Sequence, residues 1–332
     1  MRLMTPLRVL AYNLCFGGAD RVDAIHAVLA QVNADVVALT EADDQQVVAT
    51  LAERLAMHHI WARGSGDRHI ATLSRFPVTD WQVYNTPPLT QAVLETKIEM
   101  PHPPAPSPDD CGSVVRRGGD ALPSFGARSP TAPRGDRRSP TGQLSRETLR
   151  SGKGSGRRPA PNPTALGEGG REGEAITIYN VHFLPYLLLP FEIRRWQAVG
   201  KLLAVIRARR PGPHLILGDL NAIAPGDRVL QRNHPPRMRR VMRLQLNLIF
   251  RLAIPRLIKA GYVDCYRRLH PNEDGFTWMP GNRTTRYDYI LADAALAPAL
   301  RACQVVDGIE AANVASDHFP LLAEFELESH NK

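Results

Sequence analysis

The stretch His214-Leu215-Ile216-Leu217-Gly218-Asp219-Leu220-Asn221 is a short apolar run stopped by a glycine, an acid and an amide. A run of this length, bounded by a turn residue, predicts a buried strand over His214–Leu217. Two readings of its end stay open. If the strand continues, Asp219 and Asn221 share one side; if it stops, they form an Asx-type turn. The same construction recurs along the chain. Leu7–Leu14 carries Asn13, Asp35–Leu39 leads to Glu41, and Ala175–His182 closes on His182. Asp288 and the triplet Ser316-Asp317-His318 are likewise expected at the ends of short strands.

Other elements fill the intervals. Asp20 is placed to cap a helix with Val22, Ile25, Val28, Leu29 and Val32 on one face. Further helices are predicted over Gln45–Met57 and Phe191–Arg209. Further strands are predicted over His69–Ser74, Val78–Tyr84, Ala92–Met100, Phe276–Trp278, Arg286–Ala292, Ala302–Val306 and Leu321–Leu327. Many strands with few helices, in a single body, predict an α/β fold of two packed sheets covered by helices. The expected domain comprises residues 7–100 and 175–327.

Residues 101–174 interrupt this pattern. They hold twelve of the chain's 28 prolines, with abundant Gly, Ser and Arg and almost no apolar periodicity. Such a segment cannot bury enough surface to offset its ordering entropy, so it reads as a disordered insertion between two strands. It is either an inert loop expansion or a tether for nucleic acid.

The chain has 332 residues, 43% of them hydrophobic, which allows a sizeable core. No apolar stretch resembles a signal peptide or a membrane span. The cysteines Cys15, Cys111, Cys265 and Cys303 form no CxxC pair, which argues against structural zinc and for reduced thiols in a cytoplasmic protein. The net charge of +8 is uneven: +4 lies in 101–174 and +9 in 228–259, leaving −5 on the remainder. The body carrying the candidate residues is therefore acidic, as a cation site requires.

Carboxylates from Glu41, Asp219, Asp288 and Asp317, imidazoles from His182 and His318, and amides from Asn13 and Asn221 form one chemical inventory. Carboxylate oxygens hold a hard divalent metal, while neutral amides and imidazoles approach a phosphate without repelling it. A lone Glu41 would more readily be a helix cap, and a lone His318 a surface residue; it is the set that points to chemistry.

Tyr12-Asn13, Leu39-Thr40-Glu41, Asn180-Val181-His182, Gly218-Asp219-Leu220-Asn221, Tyr287-Asp288-Tyr289 and Ser316-Asp317-His318 occur in that order. Together they resemble the motif set of the endonuclease/exonuclease/phosphatase superfamily, which includes exonuclease III, DNase I, neutral sphingomyelinases and inositol polyphosphate 5-phosphatases. The resemblance implies a four-layer α/β/β/α sandwich and a phosphoesterase using Mg²⁺ or Mn²⁺. It implies Glu41 as principal metal ligand, with Asn13 beside it and Asp317 as a further metal-shell carboxylate. It implies Asp219 to orient or deprotonate the attacking water and Asn221 to stabilise the phosphoryl oxygens. Asp288 would fix the tautomer of His318, itself either base or phosphate stabiliser. His182 sides with the DNase I, sphingomyelinase and 5-phosphatase types, where exonuclease III types carry tyrosine. Thr40 departs from the glutamine usual in repair nucleases.

The stretch 228–259 follows the Asp219–Asn221 turn and should border the cleft as one basic amphipathic helix, or two broken at Pro255. Its arginines Arg237, Arg239, Arg240 and Arg243 are candidate substrate-binding residues. They form a solvated face, rest on an anionic membrane, or track a nucleic-acid backbone. The substrate expected is a phospholipid or inositol phosphate, with DNA as the rival. A non-catalytic binding module is the rival of another class, and it would require a broken catalytic position.

Overall fold

Strands β1 (Met4–Asn13) and β2 (Val36–Thr40) run parallel, joined by helix α1 (Val22–Val32). The computed structural model describes residues 4–89, 91–100 and 175–328. The expected disordered insertion at 101–174 lies outside the described residues. β4 (Ile70–Ser74) adds antiparallel to β2, and β3 (His58–Ala62) to β4. On the other side, β12 (Leu321–Glu328) pairs antiparallel with β1 and carries β11 (Leu300–Val305) at the edge.

The second sheet repeats this plan. β7 (Ala175–His182) and β8 (His214–Asp219) form its parallel pair, joined by α3 (Leu189–Arg209). β6 (Ala92–Glu99) and β5 (Val78–Tyr84) extend it antiparallel on one side, and β10 (Asp288–Ala292) and β9 (Val263–Asp264) on the other. Each sheet has six strands, and helices flank both.

Strand alternation sorts the core into layers. In β1, Leu7, Val9 and Ala11 join Ile176, Ile178, Leu215, Leu217 and Ile290 between the sheets. Leu10 and Tyr12 point the other way, onto α1 and onto α2 (Gln45–Arg54) through Ile25, Val28, Val48 and Leu51. On the far face, Tyr179, Val181 and Ile216 meet Ala198, Val199 and Leu202 of α3. This is the four-layer sandwich.

Several local expectations are corrected. Asp20 does not cap α1; its carboxylate accepts from Arg21 Nε at 3.0 Å, and Arg21 is the capping position. The cap predicted there is found on α2, where Asp44 accepts from the backbone N–H groups of Gln46 and Val47. Phe276–Trp278 forms no strand, only bridges from Trp278 to Thr285 and His318. The basic stretch 228–259 is not one helix. It comprises a 3-10 turn, α4 (Pro236–Leu244) and α5 (Ala253–Lys259). The break falls at 245–252 because Leu246 and Asn247 adopt φ of 57°, whereas Pro255 sits in the first turn of α5, where its missing N–H costs nothing.

Candidate active site

In both sheets the parallel pair ends on the same edge, and the crevice beyond the carboxyl ends of parallel strands is where α/β folds bind ligands. The inward parity that buries Val9 and Ala11 brings Asn13 to the inter-sheet face. By the same period His182 follows Ile176 and Ile178, Asp219 follows Leu215 and Leu217, and Asp288 precedes Ile290. The four converge at one rim.

Asp288 and His318 correct the expectation that every motif closes a strand. Asp288 opens β10 and His318 precedes β12. Both following strands are antiparallel to a central strand, so their beginnings lie at its C-terminal end.

The geometry is close. Asn13 Nδ2 donates to Asp219 Oδ2 at 3.0 Å and, at 3.4 Å, to Glu41 Oε1, while its Oδ1 accepts from the Cys15 N–H at 2.8 Å. Glu41, at a φ of 49°, accepts at Oε2 from the Phe16 N–H at 3.0 Å and lies 3.6 Å from Arg68. His182 Nε2 stands 3.8 Å from Asp219 and 4.0 Å from Glu41. His318 Nδ1 donates to Asp288 Oδ2 at 2.7 Å, and its Nε2 faces Asp219 at 3.9 Å. Ser316 holds this corner down, donating to the Asn13 carbonyl at 2.6 Å and accepting from the His318 N–H at 3.1 Å. Asp317 accepts from Trp278 Nε1 at 3.2 Å.

β8 stops at Asp219, and Asn221 turns to a φ of 49°. The Asx turn is therefore the reading that holds: Asp219 Oδ1 accepts from the Asn221 N–H at 2.9 Å, leaving Oδ2 to Asn13 and the two facing imidazoles. Asn221 Nδ2 donates to the Phe183 carbonyl at 3.1 Å. Gly218 permits the approach of β7, since a Cβ there would stand 2.2 Å from the Val181 carbonyl oxygen.

The site's electrostatics follow from burial and crowding. Burial and the Asp288 carboxylate push Asp219 up to about 8, against the pull of His318 and Asn13. Burial, His318 and Arg68 lower His182 to about 3, leaving a neutral imidazole. Burial opposes protonation of His318, but Asp288, then Asp219 and Asp317, outweigh it and raise the ring to about 10.

The donor set fits a hard cation. Asp219, Asp288 and His318 bring ligand atoms within 4.8 Å of one another, and Asp288 Oδ1 is buried without a hydrogen-bond partner among the described residues. The group consists of oxygen and nitrogen donors, as a hard cation prefers.

A cavity of about 350 Å³ opens over this floor. Glu41, Asp219, Asn221, Asp317 and His318 line its base; Pro185, Tyr186, Leu187, Met238, Val241 and Met242 form an apolar wall with Trp278 and Tyr287. Arg237 lines it too, whereas Arg239, Arg240 and Arg243 do not, and Arg239 donates to the Arg232 carbonyl. Sequence reading named neither Arg68 nor Trp278 for the site, for each reaches it through a contact with a distant segment. Arg68 arrives from the β3–β4 loop and pairs with Asp43 at 2.7 Å.

The family model described as Endonuclease/Exonuclease/phosphatase family matches residues 10–318, and the chain belongs to that family. No curated protein matches. Among solved structures, a 3' phosphatase, NExo, from Neisseria bound to product DNA hairpin is similar at a TM-score of 0.58 and 17% identity, covering 97% of this chain and all of that one. An AP endonuclease from Archaeoglobus fulgidus is similar at 0.58 and 16% identity, covering 96% and 99%. An endonuclease/exonuclease/phosphatase from Bacteroides vulgatus is similar at 0.56 and 12% identity, covering 98% and 100%. At these identities the likeness is one of fold. No helix of the described residues is long and apolar enough to cross a membrane.

Proposed function

We propose that the chain hydrolyses a phosphate ester, with a divalent cation as cofactor and an activated water as nucleophile. The observation that carries this reading is the convergence of Asp219, Asp288 and His318 on one floor, with Glu41 and Asn13 beside them. Mg²⁺ or Mn²⁺, when bound, supplies positive charge that polarises the phosphoryl group. Glu41 is the residue assigned to hold it, with Asp317 in support. Asn13 turns its Nδ2 toward both carboxylates, so its part is to position Glu41 and Asp219. The His318–Asp288 pair is already joined at 2.7 Å, which suits an oriented imidazole better than a free metal ligand.

Asp219 lines the cleft floor and is raised in basicity, so it holds or deprotonates the attacking water. His318 at the charged end of its range, neutral His182, and Asn221 stabilise charge on the phosphoryl oxygens. The apolar wall opposite favours an ester carrying an apolar substituent, as in a phospholipid. Nucleic acid is the second reading, supported by the likeness to a DNA-bound 3' phosphatase and an AP endonuclease and by the aromatic rings of Tyr186, Trp278 and Tyr287.

Glu41→Gln keeps the shape and removes the charge that holds the cation. A fall of about 100-fold or more on a soluble diester is expected. Near-normal turnover at saturating Mg²⁺ would remove Glu41 from the site. Plasmid cleavage measured beside headgroup release from phospholipid separates the two substrate readings.

A further inference from the structure

Beside the cleft the chain exposes two adjoining apolar stretches with cations among them. Leu189, Ile193 and Trp196 recur at i, i+4 and i+7 on the outer side of α3, 36%, 40% and 43% exposed. Next to them the end of α4 and the turn after it lift Leu244, Leu246 and Leu248, at 85%, 81% and 54%. The two stretches are tied side by side. Gln245 Nε2 donates to the Leu187 carbonyl at 2.7 Å, Glu192 accepts from the Leu252 and Ala253 N–H groups, and Arg256 stacks on Trp196 while bonding its carbonyl. Leucines this exposed are not core residues displaced by a poor fit, because the last turn of α4 itself buries Met242 against Leu187 and Ile223.

Charge identifies what covers this face. Residues 228–259 contain nine Arg and Lys and no acid. Arg228 is taken up by Asp274, and Arg251 by backbone carbonyls. Arg240 and Arg243 are exposed and have no acidic partner among the described residues. A protein surface offering apolar crests ringed by unpaired cations is complementary to an anionic bilayer, where leucines enter the acyl boundary and arginines meet lipid phosphates. A nucleic-acid backbone would use the cations and leave the leucines in water. We infer that this face docks on an anionic membrane surface and presents the adjoining cleft, whose apolar wall includes Met238, Val241 and Met242 of the same helix α4, to a lipid-borne phosphate ester. The inference deepens the phosphoesterase reading and rests on it for the identity of the substrate.

The full chain is tested by flotation with vesicles of phosphatidylcholine alone and of phosphatidylcholine mixed with phosphatidylserine. Binding to the mixed vesicles, weakened by salt, is expected. Arg240→Gln with Arg243→Gln should weaken it by roughly 25-fold, at about fivefold for each cation near a charged surface. Leu244→Ser, Leu246→Ser and Leu248→Ser together should abolish it, each leucine contributing about tenfold or more. That triple variant should retain hydrolysis of soluble bis(4-nitrophenyl) phosphate with Mg²⁺. Absence of vesicle binding, or binding indifferent to the leucines, overturns docking. So does sedimentation showing that the leucines join two copies of the chain, or duplex DNA binding that the triple variant keeps in full while vesicles are ignored. The soluble diester keeps the two readings apart. A chain that floats with vesicles and hydrolyses nothing retains the docking face and loses the catalytic assignment. The reverse result does the opposite.

Discussion

Asp219 and Asp288 are register partners on adjacent antiparallel strands, one closing β8 and the other opening β10. Like charges directly opposite each other on a sheet repel. Here they are accommodated because Asn13 donates to one at 3.0 Å and His318 to the other at 2.7 Å, and a bound cation would complete the neutralisation.

Asp288→Asn is expected to keep the shape of that rung while removing the charge that sustains the His318 imidazolium. Turnover should fall by about 100-fold or more, as when the partner orienting a working histidine is lost. The readout independent of activity is the imidazole titration by NMR: His318, raised to about 10 in the native chain, should titrate at distinctly lower pH. An unmoved titration would mean that Asp288 does not act through the ring.

Asp219 gives a pH signature in chelator-treated protein. Its carboxyl is raised from 3.8 to about 8 by burial and by Asp288, so the folded chain holds that proton more tightly than the unfolded one. The resulting stability is full below about 3.8 and is lost as pH rises toward 8. Measured against Asp219→Asn, which keeps the opposing contribution of His182, the native Tm should fall progressively across that window. An identical slope in the variant assigns the titration elsewhere.

Glu192 anchors the cleft wall from behind. Fully buried, it bonds Arg195 at 2.8 Å and accepts from the Leu252 and Ala253 N–H groups at 2.6 and 2.9 Å. Glu192→Gln leaves the buried Arg195 guanidinium without its counter-charge and should cost about 3–5 kcal/mol in urea unfolding. A loss below about 1 kcal/mol would place the pair among ordinary surface bridges.

Gly218→Ala and Gly226→Ala form a matched contrast, both at positive φ. An added methyl at Gly218 meets the Val181 carbonyl oxygen at 2.2 Å, while at Gly226 nothing lies within 4 Å. The first should cost about 3 kcal/mol or more and the second about 1 kcal/mol. Equal costs would show that backbone conformation alone, not the β7–β8 approach, governs both.

Much of this architecture was legible because buried strands write themselves as apolar runs. Ala175–His182 has the bounds read from sequence, and Asn13, His182 and Asp219 follow from where such runs stop. β3 was missed because His58 and His59 are exposed, so it has no apolar run to see. Asp288 and His318 were read as standing after strands and instead open or precede them, since strand direction is a property of pairing. The break at Leu246 and Asn247 escaped notice because arginines continue on both sides of it and mask the change of backbone. Arg68 and Trp278 depend on contacts between distant segments, which no local pattern encodes. The same holds for Arg286, buried between Asp227 and Asp264 at 3.0 and 2.8 Å.

β6 and β7 pair along eight rungs, from Ala92 with His182 to Glu99 with Ala175, although seventy-five residues separate Glu99 from Ala175 in sequence. A cut in that interval divides the candidate site, with Asn13 and Glu41 on one piece and His182, Asp219, Asp288 and His318 on the other. It also divides both sheets, since β1 needs β12 and β6 needs β7. The two pieces are thus a natural split pair: mixed, each supplies the strands the other lacks, and turnover becomes a report of their reunion.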